Sequence, residues 1–165
     1  QSSPVRTMLD SHRQAAQWQH IALRTDDLLG FYQFALDRGV QFITPILKDD
    51  SENLIQVFSG EWYFPGASSS GMFFEFLQRK PSDESLAAVE AQNRESWFRD
   101  KTFLGLYGEK EREYQTGKVT PFVDFELFGM IARQIEGKKL WEITDSDLER
   151  IERTMLEFTK SNLKG

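Results

Sequence analysis

The chain has 165 residues, a formal net charge of −6 and no cysteine. Its length suffices for one domain with a core, and the absence of cysteine excludes disulfides and thiolate metal sites. The acidic balance argues against nucleic acid or an anionic membrane as a partner. No apolar stretch approaches the ~20 residues of a membrane span, and we expect a cytoplasmic protein.

The N-terminal half has the patterning of strands around one helix. Residues 4–9 predict a short edge strand, and residues 18–24 alternate apolar with polar or small side chains, which predicts a second strand. Thr25 or Asp26 is expected to cap a helix whose apolar residues recur at spacings of three and four. Gly39 is a natural left-handed end for this helix.

Three further strands are predicted, at residues 40–47, 54–58 and 72–78. Pro45 should make the first of them irregular or place it at an edge, because proline cannot donate to a strand ladder. In the last strand, alternation places three side chains on one side: Phe73, Glu75 and Leu77.

After Pro81 the patterning becomes helical. The candidate helices span residues 82–92, 102–116, 121–136 and 146–162. Ser146 and Glu149 predict a capping box, and Trp141 and Ile143 are expected to staple the last helix. Strands followed by helices indicate an α+β fold.

We divide the chain into three parts: an N-terminal edge segment at residues 1–17, a module at residues 18–117 and a helical extension at residues 118–165. The broad apolar face in residues 121–136 indicates that these helices pack on the module or on each other. The alternative is that they dock a partner protein.

Two residues stand out as candidates for chemistry. His20 lies within a predicted strand, and Glu75 lies in another strand among phenylalanines. A buried carboxylate needs a metal, an arginine or a raised pKa to be tolerated. From the residues alone, a hydrogen-bonded structural role is favoured for His20, and a solvent-facing position is as consistent with the pattern of Glu75 as a buried one.

Several segments together carry a family resemblance. Those segments are residues 20–27 (HIALRTDD), 38–42 (RGVQF), 53–58 (NLIQVF), 72–79 (MFFEFLQR) and 102–107 (TFLGLY). In order and spacing they resemble the second half of the iron-binding domain of 4-hydroxyphenylpyruvate dioxygenases, which belong to the vicinal oxygen chelate superfamily.

The resemblance implies a βαβββ module and an Fe(II) dioxygenase that acts on an aromatic 2-oxo acid in aromatic amino acid catabolism, such as tyrosine degradation. It implies that His20 and Glu75 are metal ligands, since iron in such enzymes is held by two histidines and one carboxylate. The residues that it assigns to substrate binding are Gln56, Phe58, Phe73, Phe98 and Phe103.

The family's first iron-binding histidine lies in a preceding module, and nothing before His20 resembles that strand. His12 is too close to His20 to take its place. We therefore expect a second βαβββ module, from another copy of the chain or from a longer parent chain, in a homodimer or hetero-assembly. A concave face exposing Phe58 and Phe73 would need a cover, either such a module or the C-terminal helices.

Two alternatives remain open. The chain could form a homodimeric, glyoxalase-like metalloenzyme in which two copies share one site and another divalent metal is bound. It could instead be a non-catalytic scaffold or binding subunit that retains the module, with residues 121–162 as its docking element.

Overall fold

The computed structural model describes residues 4–11, 13, 16–95 and 103–162. Four strands form one mixed sheet: β1 (His20–Arg24), β2 (Leu47–Asp49), β3 (Leu54–Glu61) and β4 (Phe73–Arg79). Their spatial order is β1-β4-β3-β2, with β1 parallel to β4 and the other neighbours antiparallel. The helices are α1 (Pro4–Ser11), α2 (Leu28–Asp37), α3 (Asp83–Glu95), α4 (Phe103–Thr116), α5 (Phe125–Gln134) and α6 (Asp145–Asn162). The fold is therefore α+β, as the sequence predicts.

One face of the sheet packs against α2. Ile55, Val57 and Phe76 alternate onto this face and join Leu28 in a buried cluster. The ring of Phe31 lies 4.5 Å from that of Phe76. The spacing of three and four that predicts α2 thus places its apolar side against the strands.

The opposite face packs against α4. Leu47, Phe58 and Phe73 form a second buried cluster together with Leu106 of α4. The central strand β3 is buried along its whole length because it lies between these two layers. This second face, which we call the α4 face, carries the candidate site.

The N-terminal prediction is wrong: residues 4–11 form helix α1 instead of an edge strand. Proline is favoured in the first turn of a helix, which suits Pro4 at the start of α1. Met8 is 2% exposed and packs so closely on Gly71 that a Cβ there would lie 2.5 Å from its side chain. Burial of Met8 by this distant turn is a tertiary contact that local patterning does not contain.

The start of α2 is shifted by one residue from the prediction. Asp27 is the N-cap, and its carboxylate accepts a hydrogen bond from the Gly30 amide at 2.9 Å. Thr25 instead accepts from the Asp27 amide at 3.2 Å, which orders the turn before the helix. Gly39 has a φ of +81°, as expected of a left-handed helix end.

The strand predicted at residues 40–47 is almost entirely irregular. Only Leu47–Asp49 pairs continuously with β3, while Val40 and Phe42 make isolated bridges. Pro45 has no amide to donate and interrupts the ladder between these points. The strand predicted at residues 54–58 extends to Glu61, with an irregular register between Phe58 and Glu61.

The C-terminal helices α5 and α6 pack on each other, and α6 also contacts α2. Arg38, just after α2, pairs with Glu152 of α6. The capping box of α6 uses Thr144 and Asp147, two residues before the predicted Ser146 and Glu149. Trp141 is 79% exposed and does not staple the helix. No helix within the described ranges is long and apolar enough to cross a membrane.

Candidate metal and ligand site

His20 and Glu75 meet on the α4 face of the sheet. His20 is the first residue of the edge strand β1, and Glu75 lies in the middle of the neighbouring strand β4. The imidazole Nε2 lies 3.5 Å from the carboxylate Oε2, and the two side chains are 38% and 12% exposed. The site is thus open to ligands at His20 and sheltered at Glu75.

The parallel register between the two strands produces this approach. His20 pairs with Phe73, and Ala22 pairs with Glu75, so His20 reaches Glu75 diagonally. The His20 ring stacks on Phe73, with centroids 5.5 Å apart and an interplanar angle of 18°. Because Ala22 is small, the carboxylate faces the imidazole without a bulky neighbour between them.

Burial raises the pKa of the Glu75 carboxyl above its ordinary value, and the nearby His20 and Arg79 lower it only in part. Among the described residues, the positive charge near Glu75 therefore does not fully offset the cost of burying its carboxylate. His20 Nδ1 is buried and has no hydrogen-bond partner in the described part of the chain. The Glu75 carboxylate therefore has polar capacity that a bound cation could satisfy.

The donor types and their spacing fit a divalent metal. Donors held about 2.0–2.2 Å from one metal, at angles of about 90–110°, lie about 3–3.5 Å apart. The 3.5 Å separation of Nε2 and Oε2 is at the upper end of that range. Among the described residues no cluster of three or more His, Cys, Asp or Glu side chains could hold a metal, and His20 and Glu75 are the two donors that these residues bring together here.

Three of the predicted ligand-binding residues lie on the same face as Glu75. Phe58 pairs directly with Glu75, and Gln56 pairs with Leu77, two residues along β4. Gln56, Phe58 and Phe73 are 5%, 1% and 2% exposed. His12, Phe98 and the side chain of Phe103 lie outside the described residues; the Phe103 backbone begins α4.

Phe58 and Phe73 are covered within the chain itself, although the element that covers them is neither a second module nor the C-terminal pair of helices that we expected. Leu106 of α4 packs on both rings within the single chain. The cover is thus α4 and not the pair formed by α5 and α6. It leaves a narrow cleft beside His20, with room for about one water molecule, lined by Gln19, His20, Phe58, Phe73, Leu106, Tyr107 and Lys110.

A buried charged network next to the cleft was not predicted from the sequence. Glu61, at the end of β3, is fully buried and accepts hydrogen bonds from Lys110, from the Tyr114 hydroxyl at 2.7 Å and from the Gly71 amide at 2.9 Å. Lys110 also donates to Glu113 at 2.8 Å. Burial and the neighbouring Glu61 carboxylate raise the pKa of Tyr114 strongly, so its hydroxyl stays protonated.

A sequence signal for this network existed in α4. Leu106, Lys110 and Glu113 are spaced by four and three residues, which places them on one side of the helix. A lysine on the side that carries a buried leucine indicates a buried partner of opposite charge. The partner, Glu61, comes from a different element, and its distance in sequence hides it from local patterning.

Comparison with protein-family models, with curated proteins and with solved structures finds no match for this chain.

Proposed function

We propose that this chain is the metal-binding module of an Fe(II)-dependent dioxygenase that acts on an aromatic 2-oxo acid, with a βαβββ fold of the vicinal oxygen chelate type. The observation that carries the proposal is the approach of His20 Nε2 to Glu75 Oε2 at 3.5 Å. An imidazole and a carboxylate are two of the three donors of the two-histidine, one-carboxylate iron site. The resemblance across five segments supplies the reaction class.

The surroundings of the pair are aromatic and sheltered from water. Phe58 and Phe73 are buried beside Glu75, and their rings meet edge to face with centroids 6.1 Å apart. Together with Leu106, which packs on both rings, they exclude water from the side of Glu75 that faces them. Gln56 adds a buried amide on the same face.

A second module that carries the third protein ligand of the metal could pair with the exposed edge strand β1. β1 has a hydrogen-bonded neighbour on one side only among the described strands, and Ile21 to Arg24 are exposed. An exposed edge strand is a template for pairing with a further strand. A second module beside β1, from another copy or from another part of a longer chain, would approach His20 from its open side.

In this proposal the residues of the chain bind the metal and orient the substrate. A bound Fe(II) would supply chelation of the 2-oxo acid and activation of dioxygen, with His20 and Glu75 as its holders in this chain. Glu75 must be ionised to bind a cation, and the cation would offset the burial that now raises its pKa. The phenyl rings exclude water from the reacting end of the substrate.

The test is anaerobic loading with Fe(II), followed by oxygen uptake in the presence of 4-hydroxyphenylpyruvate. We expect bound iron and, where a second module completes the site, one dioxygen consumed for each CO2 released; both should be lost in Glu75→Gln. Metal shared between two chains without oxygen uptake would support the glyoxalase-like homodimer. A protein that binds no divalent metal would contradict the proposal and leave the scaffold role.

A further inference from the structure

The central strand β3 has a two-residue bulge next to Glu75. Its pairing with β4 is regular up to Phe58, which lies opposite Glu75, and it resumes at Glu61. Ser59 and Gly60 lie between these two points, so that two residues of β3 oppose one residue of β4, as in a β-bulge.

The bulge determines the direction of Glu61. Side chains alternate along a regular strand, so Phe58 and Glu61, three residues apart, would lie on opposite faces of the sheet. With the extra residue of the bulge, both reach the α4 face, where Phe58 packs with Leu106 and Glu61 holds Lys110. The bulge therefore brings the anchor of α4 onto the face that carries Glu75.

The hydroxyl of Ser59 closes this bulge. Ser59 is fully buried, and its Oγ accepts a hydrogen bond from the Phe74 amide at 2.9 Å and donates one to the Gly60 carbonyl at 2.8 Å. A side chain thus takes the place of a ladder carbonyl as the acceptor for a backbone amide of β4.

Gly60 is held from the other side by backbone groups. Its amide donates to the Gln41 carbonyl at 2.8 Å, and a Cβ at this position would lie 2.3 Å from the carbonyl oxygen of Pro121. The close approach of Pro121 leaves no room for a side chain at Gly60. Of the two bulge residues, Ser59 is therefore the one whose side chain acts on β4.

The amide that Ser59 holds lies between the two contacts of His20. It belongs to the peptide that joins Phe73 to Phe74, and Phe74 directly precedes Glu75. His20 stacks on the Phe73 ring and lies 3.5 Å from the Glu75 carboxylate. Without its acceptor the amide would turn to find another one, and the residues on both sides of Phe74 would turn with it.

We infer that Ser59 is a positioning residue of the candidate metal site, and that its hydroxyl holds residues 73–75 of β4 so that the Phe73 ring and the Glu75 carboxylate meet His20 together. The inference rests on the proposed function for the use of His20 and Glu75 as metal ligands. The geometry of the pair is independent of that use and can be tested without metal.

The test is the electrostatic coupling between His20 and Glu75 in the metal-free protein. The nearby histidine lowers the pKa of Glu75, so His20→Gln should raise the Glu75 titration midpoint measured by 13C NMR. This shift is measured in wild type, in Ser59→Ala and in Ser59→Cys, whose thiol is a weaker acceptor. The matched control is Thr44→Val, which removes another buried hydroxyl, the acceptor of the Phe58 amide at 3.3 Å.

We expect Ser59→Ala to reduce the shift to less than about half of its wild-type size, because the interaction of two charges falls as they separate. Ser59→Cys should give an intermediate shift, and Thr44→Val should retain the full one. An unreduced shift in Ser59→Ala, equal reductions in Ser59→Ala and Thr44→Val, or no shift in wild type would overturn the inference. Should Ser59→Ala fail to fold, Ser59→Cys decides by the same comparison.

Metal affinity separates this inference from the proposed function. In anaerobic calorimetry with Fe(II), Ser59→Ala should lose about tenfold or more in affinity, the loss typical of a group that orients a metal ligand. Unchanged affinity in Ser59→Ala would overturn the role of Ser59 alone. Absence of binding by the wild type would overturn the proposed function, and the coupling measured by NMR would then decide the role of Ser59 by itself.

Discussion

His20 and Glu75 approach to 3.5 Å although they lie on different strands, because the parallel pairing of β1 and β4 sets them on one diagonal. The His20 side chain is 38% exposed, whereas the Glu75 side chain is 12% exposed. Without a cation, the more exposed histidine offsets only part of the cost of burying the carboxylate. Burial raises the pKa of Glu75, which means that its ionisation opposes folding. A bound cation would stabilise the ionised form of Glu75, which burial alone disfavours.

The raised pKa of Glu75 predicts how stability depends on pH. A carboxyl with a raised pKa binds its proton more tightly in the folded protein than in the unfolded chain. Its contribution to the free energy of unfolding is therefore fully present below the unfolded-state pKa and is lost as pH rises through the folded-state pKa. Glu75→Gln should therefore gain stability over the metal-free wild type as pH rises from about 4.5. Urea unfolding from pH 4 to 7 measures this. The exposed Glu52 provides the control, as Glu52→Gln should show no such trend.

Gln56→Ala should weaken ligand binding and change the free energy of unfolding by only about 0.5–1 kcal/mol. The contrast is its cross-strand partner Leu47, which is fully buried. Leu47→Ala should cost about 2–5 kcal/mol because it leaves a cavity in the core. Urea unfolding and titration with phenylpyruvate separate the two effects. A large loss of stability in Gln56→Ala with unchanged binding would show that Gln56 is structural.

The Glu61–Lys110 pair predicts a strongly non-additive response. Lys110→Met alone should destabilise by about 3–5 kcal/mol, because it leaves the Glu61 carboxylate buried without its cation. Adding Glu61→Gln should recover most of that loss. The exposed pair of Glu52 and Arg79 is the control, where Arg79→Ala should cost about 0–1 kcal/mol. Additive losses for Lys110→Met and Glu61→Gln would contradict the coupling.

Asp147 predicts an acid-sensitive start of α6. Hydrogen bonds from Lys138 and Thr144 hold the pKa of its carboxyl well below the usual range. A lowered pKa contributes stability that is present above the unfolded pKa and is lost as pH falls through the folded one. Asp147→Asn should therefore be less stable than wild type near neutral pH, with a gap that narrows below about pH 4. Asp145→Asn, in the same helical turn, should show no such gap when both are followed by thermal unfolding.

Much of the sheet could be predicted because each strand alternates locally. Alternation placed Phe73, Glu75 and Leu77 on one side, and the cross-strand pairing to Phe58 and Gln56 agrees with that grouping. The helix α1 was missed because Met8 is buried by contact with Gly71, a distant residue. Similarly, β2 is shorter than the strand predicted at residues 40–47, because Pro45 interrupts the pairing that the apolar run alone predicts.

The approach of His20 to Glu75 follows from a strand order that patterning cannot supply. Alternation shows which side of a strand a residue takes, but not which strands are neighbours. The Glu61–Lys110 network was missed for the same reason, since its two members come from β3 and α4. The exposed Trp141 shows the reverse case, where an apolar residue beside a helix end was assigned to packing that does not occur.

The most direct measurement is a metal-binding cycle by calorimetry with Fe(II) under anaerobic conditions. It uses wild type, His20→Ala, Glu75→Gln and the double variant, with Asp26→Asn as a control on an exposed carboxylate. If both side chains hold one metal, each single variant should lose more than about 100-fold in metal affinity, which exceeds the loss typical of a residue that only hydrogen-bonds to a metal ligand. The double variant should then lose little more than either single variant. Wild-type affinity in both single variants, or no binding by the wild type, would contradict the account.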